Sequence, residues 1–149
     1  VSTKANASNL SDGTAYLYGI GGKRGVRGKA SGTVDYWPIT AGSGDLGARQ
    51  SGAGVSGKGR AGFGATLANN YVLLFGGGNA SPTDDGRNST QLTANGDITG
   101  WNSLGGIDMT PRYRFGRTSL VGFFYMAGGE TGNGITDTVE YSVVGTTRR

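Results

Sequence analysis

Three segments, AYLYGIGG (15–22), NYVLLFGG (70–77) and GFFYMAGG (122–129), each run an apolar stretch into a pair of glycines, at offsets of 55 and 52 residues. A repeat of this length constrains the fold more than any other feature, because a recurring unit buries its apolar faces by stacking on copies of itself. The period survives at other landmarks. RAGFG (60–64) recurs as RYRFG (112–116), GDLGAR (44–49) as GDITGW (96–101), and TVDYWPI (33–39) as TVEYSVV (138–144) two periods on.

Each unit reads as short antiparallel strands. In the middle one, GFGATLA (62–68) turns at Asn69-Asn70 into YVLLFGG (71–77), since Asn tolerates the positive φ that tight hairpins require. Two more strands are expected over 89–94 and 98–102, joined by Asn95-Gly96-Asp97. No window carries apolar residues at helical spacing behind a cap, so helices are not expected. Glycine supplies 31 of the 149 residues, well above the usual ~7%, and belongs to turns and strand ends. The expected fold is all-β: about three four-stranded antiparallel blades of a β-propeller, incomplete at both ends. Residues 1–13 form a polar lead-in, and the blades of the 14–149 region span approximately 14–52, 59–105 and 110–145.

Closed propellers use about four to eight blades, and this chain offers three units. The first lacks an Arg-led strand, and the last lacks its Trp-side strand, the counterpart of 98–102 in the middle unit. Either the chain is a segment of something longer, the favoured expectation given that it begins at Val1, or several copies close one ring.

Composition narrows the chemistry. There is no Cys and no His, which removes disulfides, thiolate metal sites, and the commonest general base and transition-metal ligand. Net charge is +4, but only 16% of residues are charged, so Gly, Ser, Thr and Asn dominate the surface. The longest apolar stretch, 120–129, is about half of the ~20 residues that a membrane-spanning helix needs.

Several elements together resemble kelch repeats: the Arg ahead of a Gly/aromatic strand, the apolar strand ending in Gly-Gly, the Thr-Val-acid-Tyr strand, and the Gly-Asp-apolar strand ending in Trp101. In particular the chain resembles the kelch-like propellers of bacterial surface and secreted proteins, and the likeness covers residues 14–145. Arg49 departs from the pattern by standing where Trp101 stands in the next unit, as does Gln91-Leu92 where other units have an acid and a Tyr. The resemblance implies an extracellular or cell-surface location. It also implies that Arg60 and Arg112 brace neighbouring backbone through their forked donors.

Each candidate site has a structural reading beside it. The pairs Gly21-Gly22, Gly76-Gly77 and Gly128-Gly129 invite a phosphate-loop assignment, but one conformational role at crowded strand ends explains all three. GAGVSGKG (52–59) spaces Lys58 as a nucleotide-binding loop would, yet Gly59 stands where the magnesium-binding hydroxyl belongs and no helix follows, so it reads as a linker. Lys23, Arg24, Arg27 and Lys29 form a basic loop, a candidate seat for a phosphate, sulfate or acidic glycan, with an ordinary solvated loop as the favoured reading. Asp84 and Asp85 are weak calcium candidates because they lack alternating acidic spacing. Tyr36, Trp37, Trp101 and Tyr141 read as inter-blade core rather than sugar platforms. Because Tyr36 and Trp37 are successive strand residues on opposite faces, one of them is exposed, and Trp37 joins the candidate ligand-binding residues.

No catalytic constellation and no cofactor are expected. The first functional expectation is a non-catalytic extracellular or surface module that binds glycan or protein, or assembles structurally. The alternative is part of a larger propeller enzyme, oxidase- or glycosidase-like, whose catalytic residues lie outside this chain. Arg112, Tyr113 and Arg114 alone do not make a sialidase site. Expected partners are the remaining blades of the same protein or further copies of this chain. Nucleic acid is disfavoured, since no aromatic residue interleaves the basic loop.

Overall fold

A computed structural model describes residues 2–3, 14–23, 29–55, 59–68, 70–78, 86–106 and 109–143. Among these the chain is all-β and antiparallel, with no helix and therefore none long and apolar enough to cross a membrane. The first sheet contains β1 (Ser2–Thr3), β2 (Ala15–Ile20), β3 (Val34–Ile39) and β4 (Gln50–Gly52) in that spatial order. The second contains β5 (Gly64–Ala68), β6 (Tyr71–Phe75), β7 (Gly86–Gln91) and β8 (Asn102–Gly106), also in order. The last unit contributes β9 (Arg112–Tyr113), β10 (Gly116–Leu120), β11 (Phe123–Ala127), β12 (Glu130–Thr131), β13 (Gly134–Ile135) and β14 (Val139–Val143). Its main sheet runs β10-β11-β14, and β13-β12-β9 form a small satellite sheet.

Register follows the repeat. Tyr18 faces Tyr36 across β2–β3, and Tyr125 faces Tyr141 across β11–β14. The alternation of strand side chains gives each sheet two faces. The front of the first sheet (Tyr16, Tyr18, Val34, Tyr36) and the rear of the second (Val72, Leu74, with Leu92 and Ile98) form one core. The front of the second sheet (Leu73, Phe75) and the rear of the third (Phe124, Met126, with Met109 and Phe115) form another, in which Phe75 and Phe124 stack at 3.8 Å. The second sheet is thus buried on both sides, which explains why β6 is buried continuously from Val72 to Phe75 where burial alternates along β2 and β11.

Three expectations are corrected. Ser2–Thr3, inside the polar lead-in, pair with Leu17 and Tyr16 and give the first sheet a fourth strand. The fourth strand of the middle unit lies at Asn102–Gly106 rather than 98–102, and the third begins at Gly86 rather than 89. The cause is that Ile98 enters the core against the first sheet and Trp101 Nε1 donates to Ala53 O at 2.8 Å, so 98–101 follow the neighbouring sheet and only Leu92–Ile98 bridge across the turn. Tyr141 is exposed rather than inter-sheet core, because no sheet among the described residues packs on the front of the third.

The β10–β11 hairpin turns on Val121-Gly122, with φ of 48° and 80°. A β-branched residue is strained there, and its counterpart in the middle unit is Asn69. Val121→Asn is expected to stabilise the chain by about 1 kcal/mol, read as a higher urea midpoint. An unchanged midpoint would show that the turn carries no such strain.

Candidate functional site

The double glycines and the arginines form one device, used twice. Gly22 N donates to Arg60 O at 2.7 Å, and Arg60 Nη1 donates to Gly76 O at 3.0 Å. One unit later, Gly77 N donates to Arg112 O at 2.9 Å, and Arg112 Nη1 donates to Gly128 O at 3.0 Å. The backbone of each arginine therefore receives the preceding sheet, while its side chain ties the end of the central strand of its own unit. Positive φ at Gly21 and Gly76 and contacts too close for a Cβ explain why glycine stands there.

Arg112 is wholly buried and spends its donors on structure. Nε reaches Thr110 O, Nη1 also reaches Thr138 O at 3.1 Å, and Nη2 reaches Thr138 Oγ1 and, at 2.5 Å, Glu140 Oε1. Arg114 pairs with Glu130 at 3.3 Å and lies over the Tyr113 ring. With Arg112 committed in this way, these residues do not present a substrate-facing arginine cluster.

A tyrosine network crosses the first seam. Tyr16, Tyr18 and Tyr36 form an aromatic triad with centroids 5.7 to 6.3 Å apart. The Thr93–Asp97 turn of the second unit closes over it. Tyr18 Oη donates to Gly96 O at 2.6 Å, Tyr36 Oη donates to Asp97 Oδ1, and Gly96 packs on the Tyr16 ring. Burial first, then the hydrogen bond to Asp97, pushes Tyr36 up from the ordinary 10.0 to about 12, and burial pushes Tyr18 up as well.

These phenols ionise more readily in the unfolded chain, so they contribute stability that is fully present below pH 10, and the share from Tyr36 is lost as pH rises through about 12. The urea midpoint is expected to hold from neutral pH to just below 10 and then fall, and Tyr36→Phe should flatten part of that fall. A midpoint that holds to pH 12 in the native chain would refute the coupling.

The other candidates read from the sequence do not converge on one ligand site. Lys23 and Lys29 are exposed on either flank of a loop that is bridged by Lys23 and Ala30, while Arg24 and Arg27 lie outside the described residues. Asp84, Asp85 and Lys58 also lie outside them. Tyr36 is buried and Trp37 half-buried on the opposite face, where the indole lies over Gly19. Trp101 is half-buried against the first core. Among the described residues, no three acidic side chains gather as a metal site would require.

Sequence reasoning missed the role of the Thr93–Asp97 turn, whose form recurs in the Thr40–Asp45 turn of the first unit. In that earlier turn Thr40 N bonds Asp45 O and Gly44 N bonds Thr40 O, as Thr93 N bonds Asp97 O and Gly96 N bonds Thr93 O. The recurrence of Gly-Asp at 44–45 and 96–97 carried that signal. Comparison with known proteins returns neither a matching family model nor a matching curated protein.

Proposed function

We propose that this chain is a non-catalytic module of a kelch-type β-propeller, working outside the cell or at its surface in binding a glycan or protein or in structural assembly. One observation carries this reading: both sheet–sheet seams use the same repeat positions, with an arginine carbonyl taking the double-glycine amide and a front face meeting a rear face. Sheets stacked by one repeated rule accumulate a constant rotation, and with blade geometry that rotation closes a ring. The double glycines end the same strand of each unit, and in a propeller the loops that follow such ends share one rim, where ligands are best received.

Particle images of the native protein test the architecture. A disc with a central channel is the expected result, and an open rod of stacked sheets would overturn it. For the ligand, glycan-array binding is expected to disappear when Lys23, Arg24, Arg27 and Lys29 are all replaced by Ser. Binding that persists would remove the basic loop from the site.

A further inference from the structure

The third sheet leaves open a face that its counterpart in the first sheet buries. Val139 and Tyr141 are 66% and 65% exposed, whereas the residues at the same repeat positions, Val34 and Tyr36, are 2% and 4% exposed. Phe123, Tyr125 and Tyr141 repeat the tyrosine triad, with centroids 5.9 to 6.4 Å apart and Phe123 in the place of Tyr16. The first sheet shows the converse on its rear. Leu46 is 52% exposed, while Ile98, at the same place after the turn, is 2% exposed in the seam. A Cβ on Gly44 would meet nothing within 4 Å, whereas one on Gly96 would lie 2.6 Å from the Tyr16 ring. Leu17 and Trp37 stand on this rear face at the level of Val72 and Thr90, with the indole over Gly19 where Leu74 and Met126 project in the other units.

We infer that these two open faces are the two halves of one seam, and that the third sheet docks on the first sheet of a second copy of this chain. This rests on the blade reading above and deepens it by naming the partner surface. The internal seams are the template. Tyr141 Oη meets the partner's Asp45 as Tyr36 meets Asp97, Tyr125 Oη meets the Gly44 carbonyl of the partner subunit as Tyr18 meets Gly96, and the partner's Leu46 fills the role of Ile98. Because the two faces differ, the contact is head-to-tail and must close or run on as a filament. Two copies supply about six blades, within the usual range of about four to eight, and three copies would exceed it. The assembly is therefore a closed dimer with two equal seams.

Mixing experiments on the 149-residue chain test this. The unmodified chain is expected at twice its 15.2 kDa mass by light scattering. Leu46→Asp disables the rear face and Val139→Asp the front. Both sites are exposed, so circular dichroism should remain unchanged, while each substitution raises the dimer dissociation constant at least about 100-fold by burying an unpaired charge in both seams. An equimolar mixture of the two variants restores pairing, because one seam is again intact. Asp45→Ala should also weaken the dimer, and adding Tyr141→Phe to it should cost little more.

A monomeric native chain overturns the docking. If its scattering shape is a wedge of three stacked sheets, the blade reading stands, and if the sheets are splayed apart both fail. A Leu46→Asp chain that still dimerises while Val139→Asp does not would replace head-to-tail docking with front-to-front pairing and so overturn the inference too.

Discussion

Arg112→Ala is expected to destabilise the chain by about 3–5 kcal/mol, the cost of removing one partner from a buried, fully engaged charge network. The guanidinium has zero exposure and binds the Thr110, Gly128 and Thr138 carbonyls, the Thr138 hydroxyl and the Glu140 carboxylate. Glu140 retains partial access to water, its side chain 24% exposed, and keeps its bonds from Thr110, while the Thr138 carbonyl keeps its bond from Gly128 N, so the larger loss falls on the Gly128 carbonyl and on the cavity left by the guanidinium. Because the Arg112 carbonyl also holds Gly77 of the preceding sheet, disturbance at this residue reaches the second seam. Arg112→Lys is expected to rescue less than half of the loss, since a single ammonium cannot reproduce five donors in a fixed fork. Urea unfolding followed by circular dichroism measures both variants. An alanine variant within about 1 kcal/mol of the native chain, the range of an exposed ion pair, would show that the network is not a keystone.

How far the sequence foretells this architecture depends on whether a signal is local or lies between sheets. The Asn69-Asn70 hairpin, the strand ends at the double glycines and the opposed faces of Tyr36 and Trp37 are local, and alternation with turn chemistry makes them readable. The fourth strand of the middle unit is not. Ile98 and Trp101 belong to the β-pattern by composition, but they answer to the first sheet, and the ladder resumes only at Asn102. Tyr141 misleads for the same reason. Its residue type and strand position match Tyr36, and what differs is whether a neighbour covers it. Of the candidate ligand residues, the basic loop is visible in sequence as charge alone, and charge in a solvated loop does not by itself assemble a site. The Gly-Asp turns are readable as a repeat. The job of the Gly96-Asp97 turn in receiving tyrosine hydroxyls is not, because it depends on a contact 78 residues away in the chain.

The double glycines give the second large effect, and the three copies differ in an informative way. A Cβ on Gly21 would stand 2.7 Å from Arg60 O, and one on Gly76 2.7 Å from Arg112 O, in each case backbone of the next unit that already accepts a hydrogen bond from the adjoining glycine. Backbone held in that way cannot swing aside as a side-chain tip would. Both residues also have φ near +60°, which disfavours any residue with a Cβ. Gly128 has a similar φ of 63° but would meet only Thr136 O, at 3.3 Å, because no further sheet among the described residues crowds it. Gly21→Ala and Gly76→Ala should therefore each lose about 3–4 kcal/mol, strain and overlap together, whereas Gly128→Ala should lose about 1 kcal/mol from strain alone. Urea midpoints of the three variants, measured where the chain is monomeric, separate the terms. Equal losses would mean that glycine is required only for its φ and that sheet-to-sheet crowding contributes nothing. A threefold gap would make the seam itself the reason that two glycines end the strand.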